Sequence, residues 1–201
     1  MKTILRLLAM WLLLMPAPVI RAADTAPDAL VKATVDDVLA VIKQNKDKQA
    51  LRALAEQKVL PHFDFKRMTQ LAVGASWRQA NAAQQQALEN GFRTLLVNTY
   101  TTALSVSASG TQTIEVKPVQ VKADQNEVTV KTTVKDPGKQ PIAIDYRMAN
   151  SAGGWKVFDV VVEDLSLVTN YRGTFASEVS RSGIDGLIKV LDEKNRTQAK
   201  S

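Results

Sequence analysis

The 201-residue sequence has no cysteine and only one histidine, His62. The first absence excludes disulfides, thiolate metal sites and cysteine nucleophiles, so the fold must rest on its apolar core. The second excludes a multi-histidine metal centre. Aromatic residues make up only 5% of the chain, so any cluster of them is informative. There is no glycine-rich phosphate loop, no acidic calcium loop and no G-x-S-x-G nucleophile elbow. No run mixes basic and aromatic residues as a nucleic-acid surface does. No apolar run reaches the roughly 20 residues that cross a bilayer core.

What is present begins with a leader. A basic start, Met1-Lys2-Thr3-Ile4-Leu5-Arg6, precedes the apolar run "LLAMWLLLMPAPVI", which Pro16 and Pro18 interrupt. Ile20-Arg21-Ala22 then places a small residue at a cleavage position. This order predicts a secretory signal peptide over residues 1–22, cleaved after Ala22. With no cysteine at the junction, a lipid-anchored lipoprotein is excluded. Cleavage removes Lys2, Arg6 and Arg21 and no acid, which lowers the net charge from +6 to +3. That is too weak to imply nucleic acid but compatible with an anionic membrane surface. The expected mature chain forms one domain over 23–194, followed by a polar tail, 195–201, that should fray.

The front of the mature chain is helical in pattern. Leu30, Val31, Thr34, Val35, Val38, Leu39 and Ile42 recur at i, i+3/i+4 spacing. Asp47 is placed to cap a second helix through Leu51 and Leu54. A third carries Phe65, Met68, Leu71 and Ala72 and ends at Gly74. Asn81 with Gln84 forms a capping box for a long helix bearing Leu88, Phe92, Leu95, Leu96, Ala103 and Leu104. Small residues crowd its far end.

From about Thr111 the period changes to two. "TIEVKPVQVKA", an edge strand around Pro118, is followed by "NEVTVKTTV", "IAIDYRM" and "GWKVFDVVV", with turns at "DPGKQP" and "ANSAGG". Two short helices should follow, one from Leu167 to Val179 and one over "IDGLIKVL". The pattern is that of a one-domain α+β protein, with N-terminal and short C-terminal helices packed on a twisted four-stranded antiparallel sheet.

The last strand breaks its own rule. A strand with one wet face should alternate, yet Trp155, Val157 and Val161 occupy one phase and Phe158, Val160 and Val162 the other. Trp155, Phe158, Tyr146, Tyr171 and Phe175 also gather here, in a chain poor in aromatics. A packed core accounts for most of these residues, and a ligand cavity for the remainder, above all the second apolar phase of the last strand.

Catalytic sets are missing by contrast. His62 near Asp64 has no serine or second base at triad spacing and reads as a helix-start residue. Asp36 and Asp37 read as a solvated face, and Glu163-Asp164 as a cap for the next helix. Asp145 or Asp159, set among apolar neighbours, could be a carboxylate of raised pKa acting as a general base. The simpler expectation is that each is ion-paired, Asp159 with Arg147.

Several stretches together resemble one family. "FDFKRM", "WRQA", "FRTLLVNTY", "DYRM", "GWKVFDVVVEDLSLVTNYR" and "GIDGLI" are similar to the MlaC family, also called toluene-tolerance auxiliary proteins, over about Val59 to Lys194. The resemblance implies a periplasmic, non-catalytic, monomeric phospholipid carrier with no metal and no cofactor beyond its lipid cargo. It also implies two membrane partners, an outer-membrane lipoprotein–porin complex and the MCE-domain ring of an inner-membrane ABC transporter. Such a carrier maintains outer-membrane lipid asymmetry.

On that reading the lipid-binding residues are expected to be Val73, Trp77, Phe92, Leu96, Tyr100, Tyr146, Trp155, Phe158, Val160, Val162 and Tyr171. Arg147 or Arg172 is expected near the mouth, and the Phe158, Val160, Val162 phase is expected to face the lipid. Two other readings remain open on the sequence. One is a small-molecule isomerase or hydrolase on a similar cavity-bearing fold, which needs a buried titrating aspartate. The other is a chaperone or adaptor, which would expose its apolar patch.

Overall fold

The computed structural model describes residues 25–44, 47–107 and 110–200, so the expected leader, 1–22, lies outside the described residues. Four helices come first: α1 (Pro27–Gln44), α2 (Lys48–Leu54), α3 (Phe65–Val73) and α4 (Ala82–Ser107). A π-helical turn, Ala55–Val59, and a 3₁₀ turn, Leu60–His62, link α2 to α3. The helix starts follow the polar residues that cap them. The Asp47 carboxylate accepts from the Gln49 and Ala50 amides at 3.0 Å, and Asp64 accepts from the Arg67 amide at 2.9 Å. Asn81 and Gln84 bond each other's backbone amides at 2.9 and 3.0 Å, completing the box at the head of α4. Gly74 closes α3 with a φ of 66°, a conformation that suits glycine.

The sheet is an antiparallel meander in chain order: β1 (Thr113–Val116), β2 (Glu127–Lys135), β3 (Ile142–Ser151), β4 (Gly154–Val162) and β5 (Leu165–Ser166). Four strands were expected, and β5 is the addition. It forms because Glu163 and Asp164 take φ values of 47° and 64°, reversing the chain so that Leu165 pairs with Val162. A Glu-Asp pair is a poor sequence signal for such a turn, which favours Asn-Gly. Here the Glu163 carboxylate accepts from the Ala143 amide while its own N–H donates to the Ala143 carbonyl, which supports the conformation.

The C-terminal segment α5 (Leu167–Lys200) is two helices that meet at Gly183, in the gap between the two expected ones, and the second helix continues through the tail that was expected to fray. The chain bends at Gly183, whose φ is 71°. Beyond the bend, Leu187 and Leu191 are buried. A methyl group on Gly91 would lie 3.2 Å from the Leu191 Cβ, so α4 and α5 cross closely there. The polar tail continues this contact: Asn195 donates to the Gly91 carbonyl at 2.9 Å and Gln198 to the Thr99 hydroxyl at 3.1 Å. Both polar side chains find partners on α4, which is why the helix does not stop at residue 194.

Apolar packing among the described residues forms two large clusters and a small one at Ile42 and Leu51. Helices α3, α4 and α5 share one cluster, centred on Met68, Leu88, Phe92, Phe175 and Leu187. Helix α1 and the sheet share another, centred on Val31, Val130, Met148, Trp155 and Val157. The puzzle of β4 is resolved by its pairing with β3. Met148 pairs with Val157 and Arg147 with Asp159, so Phe158 is an extra residue with no partner. This β-bulge switches the phase of the strand. Trp155 and Val157 before it, and Val160 and Val162 after it, therefore lie on one face.

Candidate functional site

A cavity of about 310 Å³ lies between the helical cluster and the sheet. That is far above the ~10–15 Å³ that one water needs, so it is not a packing defect. The inner stripe of α1 (Leu30, Val31, Thr34, Val35 and Val38) forms one wall. A second comes from Leu51, Leu54, Ala55, Val59 and Leu60 on α2 and the turns after it. The C-terminal half of α4 contributes Leu96, Val97, Tyr100, Thr101 and Leu104. The sheet contributes Ile144, Tyr146 and Met148 from β3 and Val157, Val160 and Val162 from β4. Tyr100 and Leu104 are 45% and 39% exposed and mark where the cavity meets solvent.

Helix α4 serves both sides because of its length. Its first turns present Leu88, Phe92 and Leu95 to α3 and α5, and its later turns leave that core and face the cavity.

Among the described residues the lining holds no lysine, arginine, aspartate or glutamate, and its polar groups are few. The Thr34 hydroxyl donates to the Leu30 carbonyl at 2.9 Å. His62 is held below its ordinary pKa of 6.5 by burial, and secondarily by the positive charge of Lys156. Its neutral form therefore predominates at pH 7. Burial alone pushes Tyr146 up to about 12, and Tyr100 is raised by burial and by its neighbour Tyr171. Such a lining can enclose apolar chains.

Of the eleven expected lining residues, five line the cavity: Leu96, Tyr100, Tyr146, Val160 and Val162. The other six do not. Val73, Trp77 and Phe92 are buried in the helical cluster. Tyr171 packs against that cluster, edge-on to Phe92 with ring centroids 5.0 Å apart. Trp155 is buried on the cavity side of the sheet but beyond the cavity's end. Phe158, the bulged residue, turns off that face. Its ring lies under the Arg67 guanidinium at 3.7 Å and near that of Arg147 at 5.0 Å. A single-residue bulge and the choice between two helix faces leave no periodic signal. The α1 stripe was visible in the sequence as an apolar face, but nothing distinguished a face packed on protein from one that borders a void.

The charged candidates are also placed elsewhere. Asp159 is 1% exposed and lies off the cavity face. It accepts from the Ser166 hydroxyl at 2.7 Å and the Val168 amide at 3.1 Å, and pairs with Arg147 at 3.4 Å. It thus caps the start of α5. Asp145 pairs across the sheet with Lys131 and Val161, on the opposite phase to Tyr146. Neither aspartate lines the cavity, so the isomerase or hydrolase reading loses its base. Arg147 is engaged with Asp159, and the Arg172 Nε donates to the Leu71 carbonyl at 2.9 Å; neither lines the cavity. Among the described residues no cluster of His, Asp or Glu could hold a metal ion, and no helix is long and apolar enough to cross a membrane.

The family model for MlaC protein matches residues 32–193, a span that includes every wall of this cavity except its first residues on α1. The chain belongs to the MlaC family. The Haemophilus influenzae intermembrane phospholipid transport system binding protein MlaC is 23% identical over 179 residues, covering 85% of this chain and 83% of the relative. The toluene tolerance protein ttg2D of Pseudomonas putida is 28% identical over 189 residues, covering 90% and 85%. Among solved structures, a phospholipid-binding protein from Ralstonia solanacearum, determined in complex with a phospholipid, is 42% identical with a TM-score of 0.77. The match covers 87% of this chain and 99% of that one. Membership in the MlaC family agrees with the resemblance carried by the "DYRM" and "GWKVFDVVVEDLSLVTNYR" stretches.

Proposed function

We propose that this chain is a periplasmic phospholipid carrier, exported by a cleaved leader over residues 1–22. It would shuttle lipid between an outer-membrane lipoprotein–porin complex and the MCE-domain ring of an inner-membrane ABC transporter, and so maintain outer-membrane lipid asymmetry. The observation that carries the reading is the cavity, enclosed between helices and sheet and lined, among the described residues, without a permanently charged side chain. The MlaC relatives and the phospholipid-bound Ralstonia structure support the same cargo.

The energetics favour such a device. Each methylene leaving water contributes roughly 0.8 kcal/mol. A two-chain lipid with about 30 methylenes thus faces on the order of 20 kcal/mol against crossing an aqueous gap unaided. A carrier only has to surround the tails, since lipid is drawn from and returned to a bilayer. Leu96, Tyr100, Tyr146, Val160 and Val162 are the residues we assign to contact with the acyl chains. The test is native mass spectrometry and lipid extraction of protein purified from the periplasm, followed by incubation of stripped protein with phospholipid vesicles. Bound phospholipid is expected in both; protein that carries none and takes up none overturns the reading.

A further inference from the structure

We infer that the Tyr146 hydroxyl donates a hydrogen bond to an ester carbonyl of the bound glycerolipid and so sets how deep the lipid sits; this rests on the carrier reading above. Tyr146 occupies the centre of the cavity face of the sheet, paired with Val130 on β2 and Val160 on β4. Its side chain lines the cavity, and desolvation by burial, with no hydrogen bond, accounts for its raised pKa. A hydroxyl that opens onto an apolar cavity without a protein acceptor is unfavourable when dry, so water or a ligand atom must complete it.

A phospholipid offers two kinds of acceptor. Phosphate is one, but moving its charge into this space would need a cation, and among the described residues no lysine or arginine lines the cavity. The methylene chains offer no acceptor at all. The ester carbonyls at the head of each chain remain, and they are neutral and accept one bond well. Tyr146 lies one residue row inside Ile144, about 7 Å along the strand, and Ile142 lies one row further out and is 44% exposed. A carbonyl at Tyr146 therefore leaves the glycerol inside the cavity and projects the phosphate toward the solvent-facing rim.

The experiment compares diacyl and dialkyl phosphatidylglycerol of equal chain length, the dialkyl lipid having CH₂ in place of each carbonyl. Stripped full-length mature protein is offered an equal mixture in vesicles and the bound ratio is read by native mass spectrometry. The wild-type protein is expected to favour the diacyl lipid about fivefold, the scale of one neutral hydrogen bond. Tyr146→Phe should bring the ratio near one in whatever lipid the variant carries. A second reading needs no variant: with carbonyl-labelled lipid, the infrared band of the bound ester should shift to lower frequency than in a dry apolar solvent. No wild-type preference, a preference that survives in Tyr146→Phe, or an unshifted carbonyl band overturns the inference. Wild-type protein that binds neither lipid overturns the carrier reading itself.

Discussion

Val157 and Val160 stand on the same face of β4 although three positions separate them, because Phe158 is an unpaired residue between Met148's partner and Tyr146's partner. An unbroken strand would place them on opposite faces. The bulge thus supplies the cavity with Val157, Val160 and Val162 in one row, and gives the other face a buried ring under two guanidinium groups.

The two faces predict opposite responses to substitution. Val160→Phe adds bulk where there is empty space. The stripped protein should melt within a few degrees of wild type, while the lipid bound per molecule falls severalfold. Thermal melts and lipid extraction on the same sample check this. Equal loading would show that Val160 does not border the bound chains.

Phe158→Ala should do the reverse. Removing a fully buried phenyl ring costs about 3–5 kcal/mol, and Arg67 and Arg147 lose the surface over which they lie. Denaturant melts should show the loss, and lipid carried by the folded fraction should stay near the wild-type level.

Asp159→Asn tests the cap. The carboxylate holds the Ser166 hydroxyl, the Val168 amide and Arg147 together where β5 passes into α5. Removing the charge from this buried group is expected to cost about 2–3 kcal/mol. Asp145→Asn, on the sheet's other phase, should change stability by less than about 0.5 kcal/mol. Lipid loading should survive both in folded protein. A large loss of loading with unchanged stability in either variant would return these carboxylates to the cavity's chemistry.

The pH dependence should carry the mark of His62. Its folded pKa lies below the ordinary 6.5 because burial and Lys156 oppose the charged form. The sign follows: the unfolded chain takes up the proton first, so the contribution to stability is present above pH 6.5 and is lost as pH falls through the folded value. His62→Gln should flatten that part of the stability profile relative to wild type. The imidazole resonance followed by NMR should titrate below 6.5, and Lys156→Met should raise its midpoint. A midpoint at or above 6.5 would show that His62 is not held neutral.

Much of the scaffold was legible because it is local. Asn81 with Gln84, Asp47 before α2, and Gly74 after α3 are signals confined to a few residues, and each appears where its spacing placed it. The strands β2 and β3 were legible from alternation. Glu163-Asp164 was not, because its left-handed turn depends on bonds to Ala143 some 20 residues away. The helical tail was not legible for a related reason. Asn195 and Gln198 look like solvent residues until α4 supplies Gly91 and Thr99 as partners.

The sequence by itself determined the α+β order and the surplus of apolar surface near the C-terminus, since each follows from residue type and short-range period. It also carried the family, through motifs spread over most of the chain. Which apolar residues border empty space was decided only in three dimensions. Phe92 and Leu96 lie four residues apart on α4, yet one is locked among Tyr171 and Phe175 and the other faces the cavity. Periodicity reports that a face avoids water; whether protein or a void covers that face depends on how α4, α1 and the bulged strand are brought together.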